Sequence, residues 1–532
     1  MSKTIKNAIG RDVPSNYRPF KGPNIDYIPQ FIPEVFKGYE ATNKIRPSIK
    51  AVIERVGLVN GDTISFHHGL RNGDKVLEQV LRVIIDMRFK NISIAPTSLF
   101  PCQIPITIEA IEKGVITNIR GGSVRGKLGE LISRGGLPGI FETRSHSGRA
   151  ADIETGQLQI DVAFCAVSQS DRFGNCNGWR GKPNSMFGYT SFMVPDSKFA
   201  KKGFVAVTDR IVTGVSPFLS IGMQQVTDIV EVESIGDNHG IDSGEVLTTG
   251  ITPERKRTLS NVVAVIKALE ITGRKPCVQL GSGMGLAAID FLSKEGITID
   301  MMIGGVTADL IAAANAGFIR QFYNAQSFDR IAAVTMRSFW NITTPMDMFQ
   351  YGSPYRAPVT GMLDVGLLGA IEIDRNFDAN VTTFSNGIPS KAIGGHVDVA
   401  RGANVTIVQA PLNRKGNRIV RENVTTVSTP GRYFIDFIMT PEGMIVNDQK
   451  TNAKAERNLD LKNKLEGMGV EFISMDEAIE KADKLASEHP DPIDPEFGDR
   501  IVGVVKYLDG TIIDSIREVK NIDAMLAAKA KK

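Results

Sequence analysis

Short apolar runs and helix-spaced apolar positions alternate along most of the chain. "DTISF" (62–66) and "NISIA" (91–95) are strand-like, while apolar residues between about Lys75 and Arg88, and again over Ile106–Lys113, recur at helical spacing. Strands and helices alternating in this way predict an α/β fold with a mostly parallel sheet. In "PCVQLGSGMGLAAIDFL" (276–292) an apolar run ends in a glycine-rich turn and continues as a helix. That is how a strand enters a ligand-binding turn in such a domain.

The pattern is stated twice. "DVAFCAVSQSDRFGN" (161–175) and "DVGLLGAIEIDRNFDAN" (364–380) share Asp-Val and then Asp-Arg at a constant offset of 203 residues. Upstream, "GGSVRGKLGELISRGGL" (121–137) resembles "GGVTADLIAAANAGF" (304–318), and "GDTISFHHG" (61–69) stands where "CVQLGSG" (277–283) stands. Two related α/β modules in tandem are the economical expectation. The Pro-, Gly- and Tyr-rich residues 1–45 form an extended arm, residues 46–240 the first module and residues 241–532 the second. The second module carries amphipathic helices at 452–469 and 475–489 and a hairpin, "VGVVKYLDGTIID" (502–514), turning at Asp509-Gly510.

Composition narrows the function. At 532 residues the chain exceeds one ordinary core, and 42% hydrophobic with 23% charged residues is the profile of a soluble globular protein. Sixty-two basic against fifty-nine acidic residues leave +3, which excludes a general nucleic-acid or membrane binder and makes any anion site local. Cys102, Cys165, Cys176 and Cys277 form no Cys-x-x-Cys pair, so a reduced compartment is expected, without disulfides or a thiolate zinc site. No His/Asp/Glu cluster has metal spacing, so no metal is expected. With no secretion signal and no run of about 18 apolar residues, the expectation is a cytosolic protein.

The glycine loop, Gly281, Ser282, Gly283, Met284 and Gly285, misses the dinucleotide fingerprint because Leu286 stands at the third glycine position, although Asp300 is suitably placed. Its backbone N–H groups suit a phosphate or an oxyanion equally. In "GGHVDVARGA" (394–403), Gly394 and Gly395 allow a close backbone approach, and Asp398 and Arg401 are spaced either to serve a ligand or to pair on a tight turn. Residues 120–149 are the one locally basic stretch, with Arg120, Arg125, Arg144 and Arg149 among glycines. They form either a solvated loop or a carboxylate site; "RSHSGR", containing Arg144, Ser145, His146, Ser147 and Arg149, places donors around a small-residue turn. His67 and His68 occupy the amino-terminal counterpart of the glycine loop. Glu372 and Asp374 share a strand face, and adjacent Arg375 offers them an ion pair.

"GGHVDVARGA" resembles the Gly-Gly-x-x-Asp-x-x-Arg-Gly-Ala segment of CoA-transferases and acetyl-CoA hydrolases, and "LGSGMG", "GAIEIDRNFDANV" and "FIMTPEGMIVN" match that superfamily in order. "GDTISFHHGLRNGD", "IRGGSVRGKLGE" and "RSHSGRAADIETGQLQIDVAF" resemble, more narrowly, the alpha subunits of citrate lyase. The resemblance covers about Pro47 to Asp448. It implies two tandem CoA-transferase-like (NagB/RpiA-like) modules with the active site between them, and exchange of acetyl for citryl on an acetyl thioester. The thioester would be acetyl-CoA or the phosphopantetheine-type group of an acyl carrier subunit, with no cofactor bound covalently. Partnership with the carrier (gamma) and citryl lyase (beta) subunits, within a homo-oligomer, is implied too.

Many CoA-transferases attack the thioester with a glutamate, but the matching segment here is Val306-Thr307-Ala308-Asp309, with alanine at the glutamate position. Alanine cannot be a nucleophile. The resemblance then implies a ternary complex in which a citrate carboxylate attacks, forming a mixed anhydride; Asp309 is the alternative nucleophile if the register shifts by one. Gly281–Gly285 are the expected oxyanion donors, Gly394, Gly395, His396, Asp398 and Arg401 the expected CoA or pantetheine contacts, and the basic stretch the citrate site. Two other readings are an acetyl-CoA hydrolase or transferase for another carboxylate, and a non-catalytic metabolite-binding module.

Overall fold

The computed structural model describes residues 3–25, 43–184, 189–214, 221–241, 253–280, 291–335, 341–489 and 493–530. Among these, two large sheets carry the architecture, one of ten strands and one of eight. In the first, Thr63–Ser65, Ile92–Ile94, Ile116–Gly121 and Phe141–Thr143 step outward to one side, while Val162–Val167, Gly203–Thr208 and Asp228–Glu231 step outward from Thr63–Ser65 to the other. The second repeats the order: Cys277–Gln279, Ile299–Val306, Ile319–Ser327 and Thr343–Pro345 one way, Val365–Gly369, Val405–Gln409 and Phe437–Thr440 the other. Every pairing in these two series is parallel.

The offset repeat marks equivalent joints in both sheets. Asp161 Oδ2 accepts the Thr63 N–H at 2.8 Å, and Asp364 Oδ2 accepts the Cys277 N–H at 2.8 Å. Each carboxylate thus fixes the start of the strand beside its own. Ten residues on, Asp171 Oδ1 accepts from Phe173 and Asn175 N–H, as Asp374 Oδ1 does from Asn376 and Asp378 N–H. These are Asx-type turns after matching strands.

Local chemistry accounts for the helices. Ile49–Val56 begins at Ser48, whose Oγ accepts the Ala51 N–H, ends at left-handed Gly57, and buries Ile49, Val52, Ile53 and Val56 on one stripe. Val76–Asp86 buries Val76, Leu77, Val80, Leu81 and Ile84 against the first sheet. Between the sheets lies Tyr189–Phe199; its Ser191 hydroxyl donates to the carbonyls of Ala325 and Met346, and Phe199 packs edge-on against Phe349 at 5.9 Å. One continuous apolar core therefore runs through both halves.

The carboxy-terminal hairpin corrects the expected division. Phe497–Lys506 and Ile512–Val519 extend the first sheet, through parallel pairing of Phe497–Lys506 with Phe141–Thr143, instead of belonging to the second half. The physical reason is an open sheet edge with ionic complementarity: Lys506 enters a buried cluster with Asp152 at 2.8 Å, beside Glu142 and Arg144. The amino-terminal arm lies over this hairpin, where Asn7 Nδ2 donates to the carbonyls of Ile512 and Ile513 and Arg11 pairs with Asp514 at 2.6 Å. No described helix is long and apolar enough to cross a membrane.

Candidate active site

In parallel α/β sheets ligands bind at the carboxyl ends of the strands where the order reverses. In the first sheet that point is Thr63–Ser65, and the four loops leaving it and its neighbours bring together His67–His68, Thr97–Ser98, Ser123–Arg125 and Arg144–Ser147. Gly122 permits the closest approach: a Cβ there would lie 2.0 Å from the Thr97 carbonyl oxygen. Ser98 and Ser123 hydroxyls consequently meet at 2.6 Å. Arg125 reaches both, with Nη2 3.2 Å from Ser123 Oγ and 3.4 Å from Ser98 Oγ, and stacks over Phe100 at 4.5 Å. Burial pushes the Arg125 pKa down, and no described carboxylate ion-pairs with it; its Nε is buried without a hydrogen bond among the described residues. A second guanidinium, Arg71, lies 5.0 Å from the same ring and 3.5 Å from the Phe328 carbonyl in the second half.

Beside these cations stand neutral rings. His68 Nδ1 and Thr97 Oγ1 are 2.6 Å apart, and the His68 ring lies 4.5 Å from Phe192 and 6.1 Å from His146. Burial, then the neighbouring His146 and Arg71, hold His68 well below the usual imidazole range. Burial, then Arg149, hold His146 at about 4. Both are therefore uncharged at neutral pH.

Ser145 joins the halves. It caps helix His146–Glu154 by accepting the Gly148 N–H at 3.0 Å, and its hydroxyl donates to Asp398 Oδ1 at 2.8 Å. The His146 N–H donates to the Gly394 carbonyl at 2.9 Å. Burial raises Asp398 to about 7, against hydrogen bonds from Ser145 and the Ser147 backbone and the nearby Arg401 charge. From the second sheet, Gln279 Oε1 accepts the Tyr351 hydroxyl at 3.1 Å, and Tyr351 lies under Gly395, where a Cβ would come 2.4 Å from its oxygen. Gln279 ends the strand that leads to the glycine loop. Gly281, Ser282, Gly283, Met284 and Gly285 themselves lie outside the described residues.

Several expected ligand contacts have other employment. Arg144 is fully enclosed, paired with Glu142 and with Asp152 at 2.7 Å. Burial opposes ionisation of Glu142, but Arg144, Lys506 and Arg120 outweigh it and hold its carboxyl at about 2. Arg149 binds Asp196 through both Nη atoms at 2.8 Å and reaches the Ser65 hydroxyl and Ala95 carbonyl, so its fork faces inward. Arg120 pairs with Glu142 at 3.3 Å. His67 is buried with Nε2 3.0 Å from the Ala166 carbonyl, and His396 is buried with Nδ1 2.8 Å from Thr429 Oγ1. Arg401 lies near the Tyr507 hydroxyl of the hairpin, where its charge works against the burial that raises that group. Thr307 stands at the N-cap of helix Ala308–Asn315, its buried hydroxyl without a hydrogen bond among the described residues, and Asp309 is buried in that helix's first turn. Glu372 pairs with Arg421, while Arg375 turns to Glu422 and Asp476, correcting the ion pair expected from adjacency.

Thr97, Ser98, Phe100, Ser123, Arg71 and Tyr351 escaped the sequence reading. For Thr97, Ser98 and Ser123 the available signal was position, since each follows a predicted strand or glycine pair. A cavity of about 520 Å³ lies apart, between the amino-terminal arm, residues 416–426 and the hairpin. Its arginines all have described carboxylate partners, Arg11 with Asp514, Arg418 with Asp483, Arg421 with Glu372, and Arg517 at 4.0 Å from Asp12, which Lys6 also meets at 3.1 Å.

These features define a class: a two-sheet α/β protein whose first sheet gathers Arg125, its serine partners and uncharged histidines beside the second half. A family model for the citrate lyase alpha subunit matches residues 42–519. The chain is 37% identical over 489 residues to the citrate lyase alpha chain of Klebsiella pneumoniae, covering 90% of this chain and 92% of that one. It is 34% identical over 484 residues to that of Escherichia coli K12, with 90% and 91% covered. A Streptococcus mutans structure, described as the alpha subunit of citrate lyase in complex with citrate, superposes with a TM-score of 0.87 at 32% identity, covering 97% of this chain and all of that one. A malonate decarboxylase alpha subunit from Acinetobacter baumannii shares the fold, with a TM-score of 0.60, 13% identity and 84% and 93% covered. The chain belongs to the citrate lyase alpha subunit family.

Proposed function

We propose that the cleft exchanges the acetyl group of an acetyl thioester for citryl, yielding citryl thioester and acetate, with citrate held by the first half and the thioester by the second. The observation that carries this reading is Arg125, a half-buried guanidinium with two serine hydroxyls beside it and no described carboxylate to neutralise it. A non-reacting citrate carboxylate supplies the missing charge. The acetyl carbonyl then lies toward Gly394-Gly395 and the 281–285 loop, whose backbone donors serve the oxyanion.

Ala308 leaves the expected glutamate position empty of a nucleophile, so citrate attacks directly. A carboxylate oxygen bonds to the acetyl carbon, the C–S bond breaks, and the thiolate attacks the citryl carbonyl of the mixed anhydride to expel acetate. Rate comes from aligning two reactants and stabilising two tetrahedral oxyanions. The equal strand orders and matched aspartate joints support tandem copies of one CoA-transferase-like (NagB/RpiA-like) module. In the cytoplasm the physiological thioester would be the phosphopantetheine-type arm of an acyl carrier subunit, with a citryl lyase subunit receiving the product in a homo-oligomeric complex.

The test is incubation of the purified chain with acetyl-CoA and citrate. Acetate and citryl-CoA should form in equal amounts only when citrate is present. Acetate release without citrate would make the chain a hydrolase, and an adduct trapped by borohydride on Asp309 would replace the ternary mechanism with a covalent one.

A further inference from the structure

We propose that His146 is a catalytic residue, the neutral hydrogen-bond donor that polarises the reacting carbonyl, rather than a contact for citrate's charge. The inference rests on the exchange reaction proposed above.

Three observations place it there. The His146 ring packs against His68 at 6.1 Å and Phe192 at 4.7 Å, and no described residue hydrogen-bonds its nitrogens. Its Nε2 lies beside Gly394, where an added Cβ would stand 3.9 Å away, in van der Waals contact; glycine, at φ +63°, puts no side chain of its own between that nitrogen and the second half. Its backbone is fixed on both sides, since Ser145 caps its helix and its own N–H is held by the Gly394 carbonyl. The ring thus stands at the seam, with the cationic Arg125 and Arg71 group on one side and the second-half glycines on the other.

Charge decides the role. With its pKa held at about 4 the ring is an uncharged imidazole at neutral pH, and so makes no ion pair with a carboxylate. It nevertheless carries one N–H in either tautomer. The exchange consumes and releases no proton: a carboxylate displaces a thiolate, and the thiolate then displaces a carboxylate. A group that titrates has no task in that sequence, whereas a fixed donor to the carbonyl oxygen stabilises each tetrahedral intermediate. Neutral imidazoles beside a helix N-terminus serve as electrophiles in this manner elsewhere.

The experiment measures citryl-CoA formation by wild type, His146→Ala and His146→Gln, together with the infrared carbonyl band of bound [1-13C]acetyl-CoA. Loss of one oxyanion donor costs about 100- to 1,000-fold in kcat. His146→Ala should show that loss with citrate KM unchanged, His146→Gln should recover part of it, and the bound carbonyl band should lie lower in wild type than in His146→Ala. If wild type makes no citryl-CoA, the exchange reading itself fails. If wild type is active and His146→Ala raises citrate KM at unchanged kcat, or leaves the carbonyl band in place, the exchange stands and this role for His146 is overturned. Should the alanine variant fail to fold, His146→Gln with an unshifted band and full kcat also overturns it.

Discussion

The two halves present the same strand order and opposite ligand chemistry. At the first sheet's carboxyl edge the groups that converge are side chains: His68, Thr97, Ser98, Ser123, Arg125 and His146. At the second, what the described residues present is backbone, with Gly304-Gly305 near the end of one strand and Gly394-Gly395 opening a helix. Gly305 has no room for a side chain, since a Cβ would fall 1.7 Å from the Phe328 ring. A small polyanion needs localised charge and directional donors, whereas a long, largely uncharged pantetheine arm needs a surface it can lie against. In the proposed exchange, one topology serves two reactants by varying only what stands at the strand ends.

The largest effect expected from this division of labour comes from Arg125. Arg125→Ala removes the charge proposed to anchor citrate, and should raise citrate KM about 100-fold while leaving acetyl-CoA KM within about twofold, as befits a lost charge-assisted contact. Arg125→Lys should recover only part, because an ammonium cannot span a carboxylate and two hydroxyls as a fork does. Steady-state kinetics varying each substrate in turn checks this. Equal rises in both KM values would dissolve the division of labour.

A smaller, opposite split follows on the other side. Gly395→Ala would place a methyl 2.4 Å from the Tyr351 hydroxyl, forcing it off Gln279 at the base of the glycine loop. Acetyl-CoA KM should rise about 10-fold, roughly the cost of one neutral hydrogen bond with local repacking, and citrate KM should hold. Isothermal titration with CoA alone isolates the binding part.

Periodicity and the glycine punctuation made the parallel sheets legible, and the 203-residue repeat fell on real joints because an aspartate at a strand's start has a backbone N–H to bind in each sheet. The expected place of the site rests on the same pattern, since parallel sheets bind ligands at strand ends. The duties of individual arginines were not. Arg144, Arg149 and Arg125 look alike in a glycine-rich basic stretch, and only the fold brings Asp152 and Lys506 beside Arg144, Asp196 to Arg149, and no described carboxylate to Arg125. The hairpin's place was hidden likewise, since a strand's own sequence does not say which open edge it will meet.

The smallest effect tests the seam where side-chain and backbone chemistry meet. Asp398 is held at about 7 by burial, whereas an unfolded aspartate ionises near 3.9. Between those values the folded chain keeps a proton that the unfolded chain releases. The stability this adds is complete below the unfolded value and is lost as pH rises through about 7. Asparagine never ionises, yet its carbonyl can still accept the Ser145 hydroxyl. Relative to wild type, Asp398→Asn should therefore gain about 2–4 °C in melting temperature between pH 5.5 and pH 8.5, a change of about 2 kcal/mol spread over a large domain. Calorimetry at both pH values reads this directly. A variant less stable by the same amount at each would mean that Asp398 is ionised and paired with Arg401 throughout, and that the halves are joined by charge instead of by a shared proton.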